Sequence, residues 1–236
     1  MSDSTAPATT MLPAQDAYTL WASTYDRAPN PLLALEERLL APLLSDLAHR
    51  DVVDLGCGTG RWLQRIEKVC PRSLTGIDSS AAMLAEAGNK CRPSTALIHA
   101  GCTTTPLPSH SADYALASFL LSYVPHLPAF ARELARIVRP GGTLILSDLH
   151  PDARTYGWRR TFKSAGNLFE IITFPYTLPD LISGLDAAGF RCERVEEPCF
   201  GEQEQAIFRE RGMLEGFRQV ESLPVIYWAR FSRGES

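Results

Sequence analysis

The stretch D54-L-G-C-G-T-G60 restricts the fold more than any other part of this 236-residue chain. It stands between the apolar run DVVDL and RWLQRIEKV, whose apolar residues recur at helical spacing. Glycines at 56, 58 and 60 permit backbone conformations closed to other residues and let a ligand approach the main chain. The helix that follows offers unpaired N–H groups at its start. A nicotinamide-binding turn requires G-x-G-x-x-G, but here the third glycine comes one residue early, with Arg61 in its place. Asp54 precedes the first glycine, and Asp78 ends the next apolar run, SLTGI, 24 positions later. A carboxylate there can accept hydrogen bonds from both hydroxyls of a ribose; the alternative is a cap on the following helix.

The rest of the chain repeats this rhythm. STALIHA, ADYALASFL and GTLILS read as further strands, with AAMLAEA and LPAFARELARIV as helices between them. In the second helix Leu127, Phe130, Leu134 and Ile137 share a face, and Pro140-Gly141-Gly142 marks its stop. LPDLISGLDAAGF (helix), RCERVEE and PVIYWARFS (strands) close the chain. Strand alternating with helix predicts an α/β fold with a parallel sheet covered on both faces. Upstream, Leu32, Leu35, Leu39, Leu43 and Leu47 predict an amphipathic helix bent at Pro42. Residues 1–14 read as a flexible arm and 15–236 as one domain, with cap helices over 15–48 and a lid over 151–177.

The chain resembles the class I S-adenosylmethionine-dependent methyltransferases through VVDLGCGTG, GIDSS and RIVRPGGTLILSD. The resemblance implies a Rossmann-like seven-stranded, mostly parallel sheet with the last strand antiparallel, and S-adenosylmethionine as cofactor. It implies that Asp54, Gly56, Gly58 and Gly60 lie along the methionine and ribose, Asp78 and Ser79 at the ribose, Met83 at the adenine and Ser118 at the cleft. Members commonly carry an Asp after the third strand that accepts from the adenine amino group. Cys102 stands there in this chain, and a thiol is a weak acceptor, so the contact passes to Thr103 or a backbone carbonyl. Tyr18, Trp21 and Tyr25, at three- and four-residue spacing, resemble a helix that closes over the cofactor; Tyr18 and Tyr25 suit a sulfonium neighbour, Tyr25 also as a candidate catalytic residue, and Trp21 suits packing.

The acceptor is expected beyond the carboxyl ends of the strands. Tyr123, Trp158, Phe174 and Tyr176 are candidate substrate contacts under the lid. LILSDLHP places Asp148 and His150 at the end of the fifth strand. A histidine side chain suits a general base at neutral pH, so His150 is a candidate for that role, with Asp148 orienting it or the substrate; the competing reading is that His150 ties down a loop. Arg154, Arg159, Arg160 and Lys163 read as a solvated basic face or as attraction for an anionic substrate.

A net charge of -4 argues against a nucleic-acid partner, and no apolar run reaches the roughly 20 residues of a membrane span. The first residues have no signal-peptide pattern, and the six scattered cysteines show no zinc spacing, so a cytoplasmic, metal-free protein is expected, monomeric or homodimeric. The leading expectation is methyl transfer to oxygen or nitrogen of a small planar metabolite. C-methylation of a quinone-like or lipid precursor and a non-catalytic cofactor- or partner-binding module are the alternatives.

Overall fold

The computed structural model describes residues 9–235. In chain order, β1 (Thr10–Leu12), α1 (Ala14–Trp21) and α2 (Pro31–Leu40) lead into β2 (Asp51–Leu55), α3 (Arg61–Ile66), β3 (Ser73–Asp78), α4 (Ala81–Gly88) and β4 (Ala96–His99). Then come β5 (Ala112–Ser118), α5 (Leu127–Ile137), β6 (Val138–Leu149), β7 (Thr161–Ser164) and β8 (Asn167–Ile171). The chain ends with α6 (Leu178–Asp186), β9 (Phe190–Glu196), α7 (Glu202–Glu210), α8 (Leu214–Val220) and β10 (Ile226–Arg233).

Seven strands form the main sheet in the order β4-β3-β2-β5-β6-β10-β9. β3, β2, β5 and β6 pair in parallel, and β10 runs antiparallel to both of its neighbours. The strand order reverses direction at β2, so the crevice of the fold opens beyond the carboxyl ends of β2 and β5. Alternate side chains serve the two faces: Leu144 and Leu146 join α5 and α6 on one side, while Ile145 meets Trp62 and Leu47 on the other. Leu127, Phe130, Leu134 and Ile137 are all buried, as their spacing predicts. The α2 helix tightens into a 3-10 turn over Ala41–Leu47, where Pro42 removes a backbone donor.

Three features depart from expectation. The arm is structured from Thr10, where β1 pairs in parallel with β8; residues 1–8 of the expected arm lie outside the described residues. The lid region is a hairpin of β7 and β8 that takes β1 as third strand. Helices α7 and α8 lie where no element is predicted, and α7 docks on α2 through Arg38, which donates to both oxygens of the buried Glu204 at 3.1 Å. Among the described residues no helix is long and apolar enough to cross a membrane.

The loop after β4, which carries Cys102 and Thr103, is fixed by α5. Thr105 donates to Glu133 from its backbone N–H at 2.7 Å and from its hydroxyl at 2.6 Å, and Arg136 chelates the same carboxylate. Burial opposes ionisation of Glu133, yet these donors hold its carboxyl down to about 2. A depressed folded-state value stabilises the fold above the unfolded value and ceases to do so as pH falls through the folded one. Glu133→Gln is therefore expected to destabilise the protein at pH 7. Denaturant unfolding across pH checks this: the gap to wild type should shrink between about pH 4.3 and pH 2.

Candidate active site

One cavity of about 520 Å³ occupies the crevice, running from the glycine turn past Asp78 and Met83 to Tyr18, Tyr25, Tyr123 and Phe174. Its inner wall is the turn between β2 and α3. Gly58 has φ +54°, and a Cβ there would meet no atom within 4 Å, so its missing side chain leaves space in the cavity. Gly60 is a glycine for another reason: a Cβ would come within 2.9 Å of Cys91 Sγ and 3.2 Å of Ala87 Cβ. Gly60 does not line the cavity, which corrects its expected ligand contact to a role in packing the turn on α4.

Asp78 joins the turn to β3. Its Oδ2 accepts from Gly58 N and its Oδ1 from Ser80 N, both at 2.8 Å, leaving further lone pairs for a ligand. Burial raises its carboxyl above the usual range, against the pull of the Ser80 and Gly58 amides. Ser80, rather than Ser79, caps α4 by accepting from Met83 N; Ser79 lines the cavity, as does the buried Met83.

Two buried charged groups on this wall have unmet hydrogen-bond capacity. Both oxygens of Asp54 lack a donor, and Arg61 Nη1 lacks an acceptor. Burial pushes the Asp54 carboxyl well up; Arg61 opposes the shift, while Glu36 and Asp78 add to it. Arg61 Nη2 is held by Glu36 and donates to Ser118 Oγ at 3.1 Å. A bare carboxylate and a bare guanidinium donor facing one cavity complement a zwitterion such as an amino-acid group. Neither Arg61 nor Glu36 was among the expected site residues; the one available signal was an arginine in the place of the third dinucleotide glycine. Ser118 lines the cavity but donates to Glu36 at 2.6 Å, so its proton is engaged. Cys102 and Thr103 line the far end; burial pushes the Cys102 thiol up to about 11, so it stays neutral.

The roof is aromatic. Tyr18 donates to Tyr123 Oη at 2.9 Å, and its ring meets Tyr25 edge-on at 6.1 Å. Burial raises all three phenols, Tyr18 well above its ordinary value, so they remain donors at neutral pH. Trp21 stacks on Phe162 at 4.8 Å, the packing expected of it. Of the lid residues expected to touch substrate, Phe174 alone reaches the main cavity. Trp158 packs on Phe200 at 5.7 Å, and Tyr176 donates to Val124 O at 2.9 Å while accepting from Leu127 N at 3.2 Å. Both face a smaller cavity of about 50 Å³ beside the main one.

His150 lies off the main cavity, and its ring is fully engaged. Nδ1 accepts from Asp152 N at 3.1 Å, which places the proton on Nε2, and Nε2 donates to Glu197 at 2.6 Å. With no free lone pair it caps the short 3-10 helix Pro151–Arg154, so the structure corrects the general-base assignment to the loop-tying alternative. Asp148 does not orient it: its oxygens accept from Ser122 N, Ser122 Oγ and Leu149 N, each at 2.7 Å. His150→Ala is expected to cost about 1 kcal/mol of stability, as cap removal does. Turnover should stay within about threefold of wild type, where loss of a base would cost about 10²-fold; unfolding and rate measurements on one preparation check both.

Comparison with known proteins agrees with this geometry. Residues 53–146 match the family described as "Methyltransferase domain". The malonyl-[acyl-carrier protein] O-methyltransferase of Xylella fastidiosa is 29% identical over 78% of this chain and 63% of its own length. The demethylmenaquinone methyltransferase of Listeria monocytogenes is 32% identical over 48% of this chain and 50% of its own length. The chain thus spans about half to two thirds of these relatives. The crystal structure of an S-adenosylmethionine-dependent methyltransferase from Mesorhizobium loti superposes with a TM-score of 0.67 at 23% identity, covering 84% of this chain and 97% of that one, a likeness of fold. Residues 53–146 therefore match a methyltransferase domain, and the chain shares the fold of the Mesorhizobium loti enzyme.

Proposed function

We propose that the protein transfers a methyl group from S-adenosylmethionine to an oxygen or nitrogen of a small, planar metabolite. The observation that carries this reading is the single cavity joining the bare Asp54 and Arg61 groups to the tyrosine roof, within the size range of small-molecule sites. The cofactor supplies, when bound, an electrophilic methyl on a sulfonium. Asp54 would hold its ammonium, Arg61 Nη1 its carboxylate, Asp78 its ribose hydroxyls and Met83 its adenine. Tyr18 and Tyr25 offer electron-rich faces and phenol oxygens to a cation.

Among the described residues no side chain with a free basic lone pair stands at the roof, since His150 is engaged and the tyrosines stay protonated. The residues there position and desolvate the acceptor rather than deprotonate it, and methyl transfer gains most from positioning. An acceptor already nucleophilic at neutral pH fits this roof best. C-methylation of a quinone-like ring is the second reading, supported by the likeness to the demethylmenaquinone enzyme.

Two experiments test the reading. Incubating the protein with metabolite extracts and methyl-labelled cofactor should yield a labelled small molecule by mass spectrometry, and the labelled atom separates O- or N- from C-methylation. Failure of S-adenosylhomocysteine to bind in calorimetry would remove the enzyme reading. The second concerns Asp54. An ammonium prefers the ionised carboxylate, so affinity for S-adenosylhomocysteine should rise with pH through the raised Asp54 titration. Asp54→Asn should weaken binding by about tenfold or more and flatten that slope.

A further inference from the structure

Arg160 opens the lid hairpin, where the sequence allows a solvated basic face. It is instead 8% exposed. Its Nε and Nη2 are enclosed without a hydrogen-bond acceptor. The guanidinium lies 4.7 Å from the ring centroid of Phe119 and 6.0 Å from that of Tyr123. Aromatic faces attract a cation but leave its in-plane donors unmet. Burial works against its charge, and Tyr123, Tyr18, Tyr25 and Asp148 hold it up. Asp148 acts only from a distance, because its oxygens are taken by Ser122 and Leu149.

A buried guanidinium with bare donors is costly to keep. The backbone nonetheless pins it in place, since Arg160 O accepts from Ile171 N at 2.9 Å. Arg160 lines the cavity of about 50 Å³ with Ser122, Phe174 and Tyr176. Phe174 also lines the main cavity, so the two spaces are neighbours across one ring. The smaller one has room for a small polar group such as a carboxylate.

We infer that Arg160 anchors a carboxylate on the methyl acceptor, which makes the substrate class a small carboxylic acid whose remaining atoms reach the main cavity past Phe174 and Tyr123. The inference rests on the methyltransferase reading for the word acceptor. A planar carboxylate meets a guanidinium through paired N–H donors, which an amide of the same shape cannot match. One guanidinium also suits one negative charge better than the two of a phosphate monoester.

Calorimetry on the full chain loaded with S-adenosylhomocysteine tests this with three pairs of probes: benzoate and benzamide, 4-hydroxybenzoate and 4-hydroxybenzamide, succinate and succinamide. At least one acid should bind about tenfold or more tightly than its amide. Arg160→Met should abolish the preference, Arg160→Lys should keep part of it, and both should bind S-adenosylhomocysteine within about threefold of wild type. No preference in any pair, or one that survives in Arg160→Met, overturns the inference. So does phenyl phosphate binding more tightly than benzoate. If S-adenosylhomocysteine fails to bind, the methyltransferase reading falls, and the same acid-over-amide comparison on the unloaded protein decides the anion site separately. Should Arg160→Met not fold, the wild-type pairs and Arg160→Lys decide.

Discussion

A single buried carboxylate, Glu36, holds the wall of the main cavity together. It sits on α2 with no exposed surface and draws donors from three other elements. Arg61 and Trp62 of α3 reach it, Trp62 from Nε1 at 3.3 Å, together with Ser118 at the end of β5 and Ser147 within β6. Donors to its lone pairs offset the cost of burying this carboxylate. The arrangement fixes α2 against the strand ends and keeps the Arg61 guanidinium against the cavity wall. Removing Glu36 would leave a buried cation and several donors unmatched, a far larger loss than that of one hydrogen bond.

The roof depends on a second device with little strand in it. Three residues of β1 pair with β8, and this small sheet carries Phe162 and Phe169 under Trp21 of α1. A two-stranded hairpin alone is marginal in water. The third strand and the stacked rings supply the missing burial, and they also set the height of Tyr18 and Tyr25 above the glycine turn. The N-terminal segment and the lid are therefore one structural unit, although about 150 residues separate them in sequence.

Much of this was legible in the sequence. β2, β3, β5 and β6 are buried on both faces, so each appears as an apolar run, and the glycine turn with Asp78 marks the side of the sheet where the main cavity opens. The parts that were not legible depend on tertiary partners. EQEQAIFRE gives α7 few apolar residues, and what docks it is the pairing of Arg38 with Glu204, 166 positions apart. A short β1 has no periodicity to detect. At His150 the sequence pattern was correct and its meaning ambiguous, because an imidazole at a strand end serves equally as a base or a cap. Glu197, distant in sequence, decided between them. Arg160 was ambiguous for the same reason: a basic run reads as a solvated face or as attraction for an anion until the hairpin folds one member inward.

The polarity of the cavity is graded along its length, and this gives the proposed chemistry a direction. At the glycine turn, acceptors dominate through Asp54 and Asp78, with the Arg61 donor beside them. At the roof Tyr25 and Tyr123 keep their phenol protons through burial, Tyr18 gives its own to Tyr123, and the bare donors of Arg160 lie behind them. A cation is favoured from the glycine turn up to the ring faces of Tyr18 and Tyr25, and an anion behind them at Arg160. A positively charged methyl donor and a negatively charged acceptor would thus be drawn to opposite ends and meet between them. The field orients both partners but takes no proton from the reacting atom, so the proposed chemistry favours an acceptor that is nucleophilic without losing a proton, as a neutral amine nitrogen is, held by its carboxylate while the protein positions it.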